Sequence, residues 1–225
     1  MRRQPHVPPP PPGPLPVGFA HRGGRADAPE NTLAAFRHSL GHGVGLESDV
    51  WLGADGMPYL HHGRLRGPGQ LSLADLLGAC GTAYDLSLDL PQGQAAGPVL
   101  AVARQAGMDL RRLWLCGRGS APLTWRLLDP DVRLVSDTRL MHALPSIPGY
   151  LRRLSAGGLD AVNLRQNRWS AGRVRRVHRA GLLAFAWDVQ TRQRLDRARS
   201  WGIDAVYADS AHLLAQDPGG PAPAG

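Results

Sequence analysis

Eight short β-rich or apolar runs recur along this chain, separated by amphipathic stretches of helical period, and that alternation limits the fold more than any other feature. The runs fall at 17–21, 46–52, 84–90, 113–116, 132–135, 161–164, 183–189 and 205–208. Helical patterns lie near 32–42, 72–79, 94–106, 120–128, 148–156, 170–180 and 191–200. The first of these is the clearest, with Leu33, Phe36 and Leu40 on one face and Asn31 or Thr32 available as N-cap. Strands that alternate with helices pair in parallel, because a parallel crossover is long enough to hold a helix. Eight such units predict an α/β chain folded as a single-domain (β/α)8 TIM barrel rather than an open doubly wound sheet, although periodicity alone does not show closure. In a barrel, reactive side chains belong at the carboxyl ends of the strands.

Composition sets the limits of that body. Residues 1–16 are dominated by proline and read as an extended tail, residues 17–215 as the folded unit, and residues 216–225 as a second Pro/Gly tail. With 43% hydrophobic and 20% charged residues the chain is globular in character, and no run nears the roughly 18 apolar residues of a membrane helix. No secretory signal follows Arg2 and Arg3, and Cys80 and Cys116 lack metal spacing, so a reduced, cytoplasmic setting is expected. The formal charge of +8 points to acidic partners. All 26 basic residues are arginine, which removes lysine chemistry altogether.

Several strand ends carry polar chemistry. His21 and Arg22 close the first strand with Gly23 and Gly24 behind them, and glycine there lets backbone turn sharply beside a ligand. In the second strand, alternation puts Glu47 and Asp49 on one face. Two carboxylates so placed either hold a hard cation or bridge to arginines. The Asp55-Gly56 turn folds the next residues back and brings His61 and His62 to the rim; adjacent side chains on extended backbone diverge, so one of the two reaches a site. Asp89, at the carboxyl end of the third strand, is positioned as a third oxygen ligand, whereas Asp85 at its amino end is structural. Trp187 ends the seventh strand on the face of Phe185.

The stretch from Gly18 to His62, GFAHRGGRADAPENTLAAFRHSL followed by GVGLESDVWLGADGMPYLHH, resembles the opening of the glycerophosphodiester phosphodiesterase family in its short bacterial, cytosolic type. SLDL at 87–90, HRAGLLAFAWDV at 178–189 and GIDAVYAD at 202–209 extend the likeness. The resemblance implies a (β/α)8 barrel that hydrolyses glycerophosphodiesters to an alcohol and glycerol 3-phosphate. It implies His21 and His62 as the acid/base pair, Arg22 as the phosphate contact and Trp187 as the substrate wall. It further implies Glu47, Asp49 and Asp89 as ligands of a divalent metal, Mg²⁺ or Ca²⁺, with Glu30 and Asn31 shaping the first loop. The partner implied is a small-molecule phosphodiester, with no nucleic acid expected.

Three departures accompany the likeness. The family lysine two residues after the third carboxylate is Pro91 here, and Arg118 or Arg165 is the expected substitute. His62 precedes Gly63 rather than aspartate, which leaves His61 as a competitor. The segment 63–83 is short, so any cap over the site is small. Two other functions compete. One is a lysophospholipase D-like activity on the same scaffold. The other is a non-catalytic basic module for phosphate-rich polymers or membranes, suggested by the arginines between Arg165 and Arg199.

Overall fold

The computed structural model describes residues 17–63, 69–138 and 147–215; the two proposed tails, 1–16 and 216–225, lie outside them. Ten strands form one sheet: β1 Val17–Ala20, β2 Gly45–Leu52, β3 Pro58–Leu60, β4 Leu71–Ser72, β5 Leu86–Asp89, β6 Leu113–Arg118, β7 Arg133–Asp137, β8 Ala161–Arg165, β9 Leu183–Trp187 and β10 Ala205–Ala208. Every neighbour in the run β1, β2, β5, β6, β7, β8, β9, β10 pairs in parallel. The last strand pairs with the first, Phe19 against Tyr207, which closes an eight-stranded barrel. The short β3 and β4 add an antiparallel ribbon to the projecting end of β2.

Helices α1 Leu33–Gly41, α2 Leu73–Cys80, α3 Ala96–Gln105, α4 Ile147–Ala156, α5 Ala171–Arg179, α6 Arg192–Trp201 and α7 Ala211–Ala215 follow strands around the outside. Four begin on a hydroxyl cap: Thr32, Ser72, Ser170 and Thr191 each accept from the backbone N–H three residues on. Thr32, not Asn31, is therefore the first helix's cap. The expected helix at 120–128 is instead a 3₁₀ segment, Ala121–Leu127, opened by Pro122. Helix α7, five residues long, was too short for its period to register in the sequence.

Two cores result. Outside the strands, Leu46, Leu86, Leu88, Leu115, Val162 and Val206 meet the helices. Inside, Phe19 stacks on Tyr207 at 5.1 Å and Trp114 packs at a tilt against Phe185 at 5.0 Å, an aromatic layer that plugs the barrel. Above that plug, toward the carboxyl ends, the lining becomes polar.

Candidate active site

His21 and Arg22 lie not in β1 but in the 3₁₀ turn His21–Gly23 that follows it. Arg22 adopts φ 53°, a left-handed conformation that bulky residues rarely hold. That twist turns its backbone N–H inward, where it donates to Glu47 Oε2 at 3.0 Å. Backbone strain of this kind persists only where surrounding contacts enforce it. Gly23, at φ 79°, supplies the enforcement: a Cβ there would stand 2.8 Å from the Phe36 ring, so only glycine lets α1 pack this closely.

His21 is oriented from across the barrel closure. Its Nδ1 lies 2.6 Å from Asp209 Oδ1, just beyond β10, while Asp209 Oδ2 accepts from Arg25 Nε at 3.0 Å. Burial raises the Asp209 carboxyl, but hydrogen bonds from His21 and Arg25 outweigh it and hold the group below its usual range. With an anionic acceptor on Nδ1, the imidazole keeps Nε2 for the interior, 3.9 Å from Glu47 Oε2. Burial depresses the His21 pKa most, the Asp209 bond opposes that, and the net value falls below the ordinary 6.5.

Register carries the carboxylates to one place. Asp49 is paired with Asp89 across β2 and β5, and Glu47 stands one inward step below. Glu47 is 4% exposed. Burial, then the charges of Asp89 and Asp49, push its carboxyl well above its usual value, against the pull of Arg22. Three repelling oxygen donors suit a hard divalent cation in their chemistry. Among the described residues, no three acidic, histidine or cysteine side chains already stand as a cage around one point. The fit is thus one of donor chemistry.

His62 reaches the site through Asp49, with Nδ1 3.1 Å from Asp49 Oδ2. His61 does not; its Nδ1 faces the Gly63 carbonyl at 3.1 Å, as opposite-facing neighbours on extended backbone require. Arg22 spans Glu30, at 3.0 Å, and Asp49, at 3.5 Å. Asn31, at φ 56°, accepts from Ser48 Oγ at 2.7 Å, so both residues shape the first loop. His21, Arg22, Glu47, Asp49, His62, Asp89 and Trp187 all border one cavity of about 350 Å³ at the carboxyl rim. At its wall the buried Asn163 Oδ1 makes no hydrogen bond among the described residues, and Arg22 Nε makes none either but stands 3.5 Å from Asp49 Oδ2; a buried polar atom without a hydrogen bond is costly unless a ligand or water meets it.

Neither expected lysine substitute enters the cavity. Arg118 is exposed, and Arg165 folds over the Trp187 ring at 5.6 Å with Nε on Asp188 Oδ2 at 2.9 Å. The further cation at the wall is Arg25, which sequence reasoning missed along with Asp137, Asn163, Gln190, Tyr207 and Asp209. Several of these sit at strand ends, which was the available signal.

A model of the Glycerophosphoryl diester phosphodiesterase family matches residues 21–88. A bovine relative, Glycerophosphodiester phosphodiesterase 1, is 57% identical over 45 residues, which span 20% of this chain and 14% of the relative. A Macaca fascicularis relative, Glycerophosphodiester phosphodiesterase domain-containing protein 4, is 47% identical over 51 residues, 22% of this chain and 8% of that one. The matched part is thus a small share of the curated relatives' length. Among solved structures, an Oleispira antarctica phosphodiesterase in complex with the product sn-glycerol-3-phosphate superposes with TM-score 0.76 at 20% identity, over 89% of this chain and 95% of that one. One from Silicibacter pomeroyi, a putative glycerophosphoryl diester phosphodiesterase, gives TM-score 0.75 at 21% identity, over 90% and 93%. These structures share the barrel. In sequence signature and in fold, the chain resembles that family.

Proposed function

We propose that this chain, which shares its opening signature and its barrel with the glycerophosphoryl diester phosphodiesterase family, is a metal-dependent phosphodiesterase acting on glycerophosphodiesters. The observation that carries the reading is the convergence of two histidines, two arginines and three carboxylates on one rim cavity, from residues 21 to 89 of the chain. A phosphodiester anion repels nucleophiles, so its charge must be offset as it grows. A divalent cation, Mg²⁺ or Ca²⁺, held by Glu47, Asp49 and Asp89 would supply most of that offset.

The chain's own groups supply the rest. Arg22, whose Nε makes no hydrogen bond among the described residues and stands 3.5 Å from Asp49 Oδ2, would turn its guanidinium to a phosphate oxygen in the cavity. His21, kept neutral by burial and held in one tautomer by Asp209, offers Nε2 to take a proton from the attacking oxygen. His62, braced on Asp49, returns one to the leaving alkoxide, which departs poorly without it. Trp187, fixed beneath Arg165, forms an apolar wall for the glycerol carbons. The products are an alcohol and glycerol 3-phosphate. A long-chain lipid substrate would need an apolar groove, and the large exposed hydrophobics among the described residues, Met57, Leu127 and Leu128, do not line the cavity.

The test is turnover of a panel of glycerophosphodiesters with added Mg²⁺ or Ca²⁺, detecting glycerol 3-phosphate. Chelation is expected to stop turnover, and His21→Ala to slow it by about 10²–10⁴-fold while the melting curve stays cooperative. Full activity in either condition overturns the mechanism.

A further inference from the structure

The net charge of this protein is concentrated in one region. Between residues 165 and 199 stand ten arginines against two aspartates, a net +8 that equals the formal charge of the whole chain. Elsewhere sixteen arginines are matched by sixteen acids. The fold places the basic stretch on α5 and α6, which touch each other on the outside of the barrel, and on the loop before α5. Val174 and Val177 turn inward from α5, and Leu195 and Ala198 from α6, so their arginine faces point to solvent. Of the two aspartates, Asp196 pairs with Arg192 and Arg199, and Asp188 with Arg165 and Arg194. Arg168, Arg173, Arg175, Arg176, Arg179 and Arg197 make no ion pair among the described residues.

We infer that this face docks on an anionic lipid bilayer. A cluster of four to eight basic residues on an amphipathic helix is the usual footprint of contact with anionic headgroups. The shape argues for a plane rather than a strand of nucleic acid. The charges sit on the convex backs of two helices. The crevice beside Trp201, flanked by Arg194 and Arg197, has about 10 Å³ of room, enough for one water and far too little for a base. Single-strand binding relies on aromatic platforms that bases can stack on, and Trp201 is already stacked under Arg197 at 6.0 Å. The face also runs to the cavity mouth, since Asp188, which anchors Arg165 and Arg194, lines the cavity itself. Docking by this face sets the mouth beside the headgroup layer. The inference concerns the outer face and stands apart from the diesterase reading.

Sedimentation of the full chain with phosphatidylcholine vesicles, with and without about one-third phosphatidylserine, tests it. Binding is expected to the anionic vesicles alone at 0.1 M salt, and to fade at 0.5 M as screening shortens the reach of the charges. Each arginine near such a surface contributes about fivefold in affinity, so the triple variant R175Q/R176Q/R179Q should bind roughly a hundredfold more weakly. R37Q/R104Q/R111Q removes equal charge from other faces and should bind nearly as well as the parent. R168Q/R197Q provides an independent reduction of roughly 25-fold if the first variant fails to fold. Absence of binding to anionic vesicles, equal loss in the control variant, or tighter binding to a DNA duplex or oligonucleotide at the same salt overturns the proposal. Because sedimentation involves no turnover, its outcome and that of the diester assay are read separately.

Discussion

The two ends of the barrel treat acidic residues in opposite ways. At the amino ends, Asp85, Asp160 and Asp204 each stand one residue before a strand, β5, β8 and β10. Asp160, 1% exposed, accepts from Arg126 at 2.8 Å, Arg133 at 3.2 Å and the Leu134 N–H at 2.8 Å. Asp204 accepts from His178 at 2.8 Å and the Ala184 N–H at 2.7 Å. Asp85 is the least well served: burial raises its carboxyl despite the Trp114 N–H at 3.4 Å and Arg112 at 3.6 Å. At the carboxyl ends, by contrast, Glu47 stands with Asp49 and Asp89, and burial first, then the charges of those two, drives up its pKa. One end spreads its carboxylates among separate partners that hold strands in register, and the other gathers three of them on one wall, where Arg22 and His62 offset their charge only in part. The same residue type thus serves stability or chemistry according to which rim it occupies.

The contrast can be broken most forcefully at Asp160. Asp160→Ala strands the buried Arg133 and the Leu134 backbone N–H and takes one partner from Arg126, which keeps its backbone carbonyls, and stability should fall by about 3 kcal/mol in denaturant melts. Turnover per folded molecule should be unchanged, and a selective loss of turnover with normal stability would erase the division of labour. Asp209→Asn probes the opposite rim. It keeps the side chain's shape but loses the anion that fixes the His21 tautomer, so kcat should drop roughly ten- to a hundredfold with KM little altered. A rise in KM alone would assign Asp209 to substrate binding instead. The smallest effect lies at His178, whose pKa is raised first by its hydrogen bond to Asp204. A raised folded-state pKa makes the contribution full below the unfolded value of 6.5, and it is lost as pH rises through the folded value. Melting temperature followed upward from pH 6 should therefore decline in the parent and flatten in His178→Gln; identical slopes would remove His178 from the account.

Much of this was legible in the sequence because it depends on short-range periodicity. The eight strands were readable as β-rich runs, and the shared face of Glu47 and Asp49 follows from period two. So does the divergence of His61 from His62. The 3₁₀ segment at Ala121–Leu127 escaped because a short Pro-opened stretch has the composition of an α-helix. Asp209 and Arg25 escaped for a different reason. Asp209 lies 188 residues from His21, and only the pairing of β1 with β10 brings the two together. The substitution of Arg118 or Arg165 for a lysine failed on direction, since strand ends place a residue at the rim without saying whether it turns toward the cavity.

That last pairing also orders events during synthesis. Chains emerge amino end first, so β1 and the His21 turn are made long before anything can hold them. Until the chain has been made through Asp209, the first strand lacks one of its two neighbours and His21 lacks its anchor. A nascent chain, or one cut just ahead of β10, carries the whole Gly18–His62 stretch and still lacks the Asp209 contact that orients His21. Barrel closure is in this sense the step that completes the candidate site.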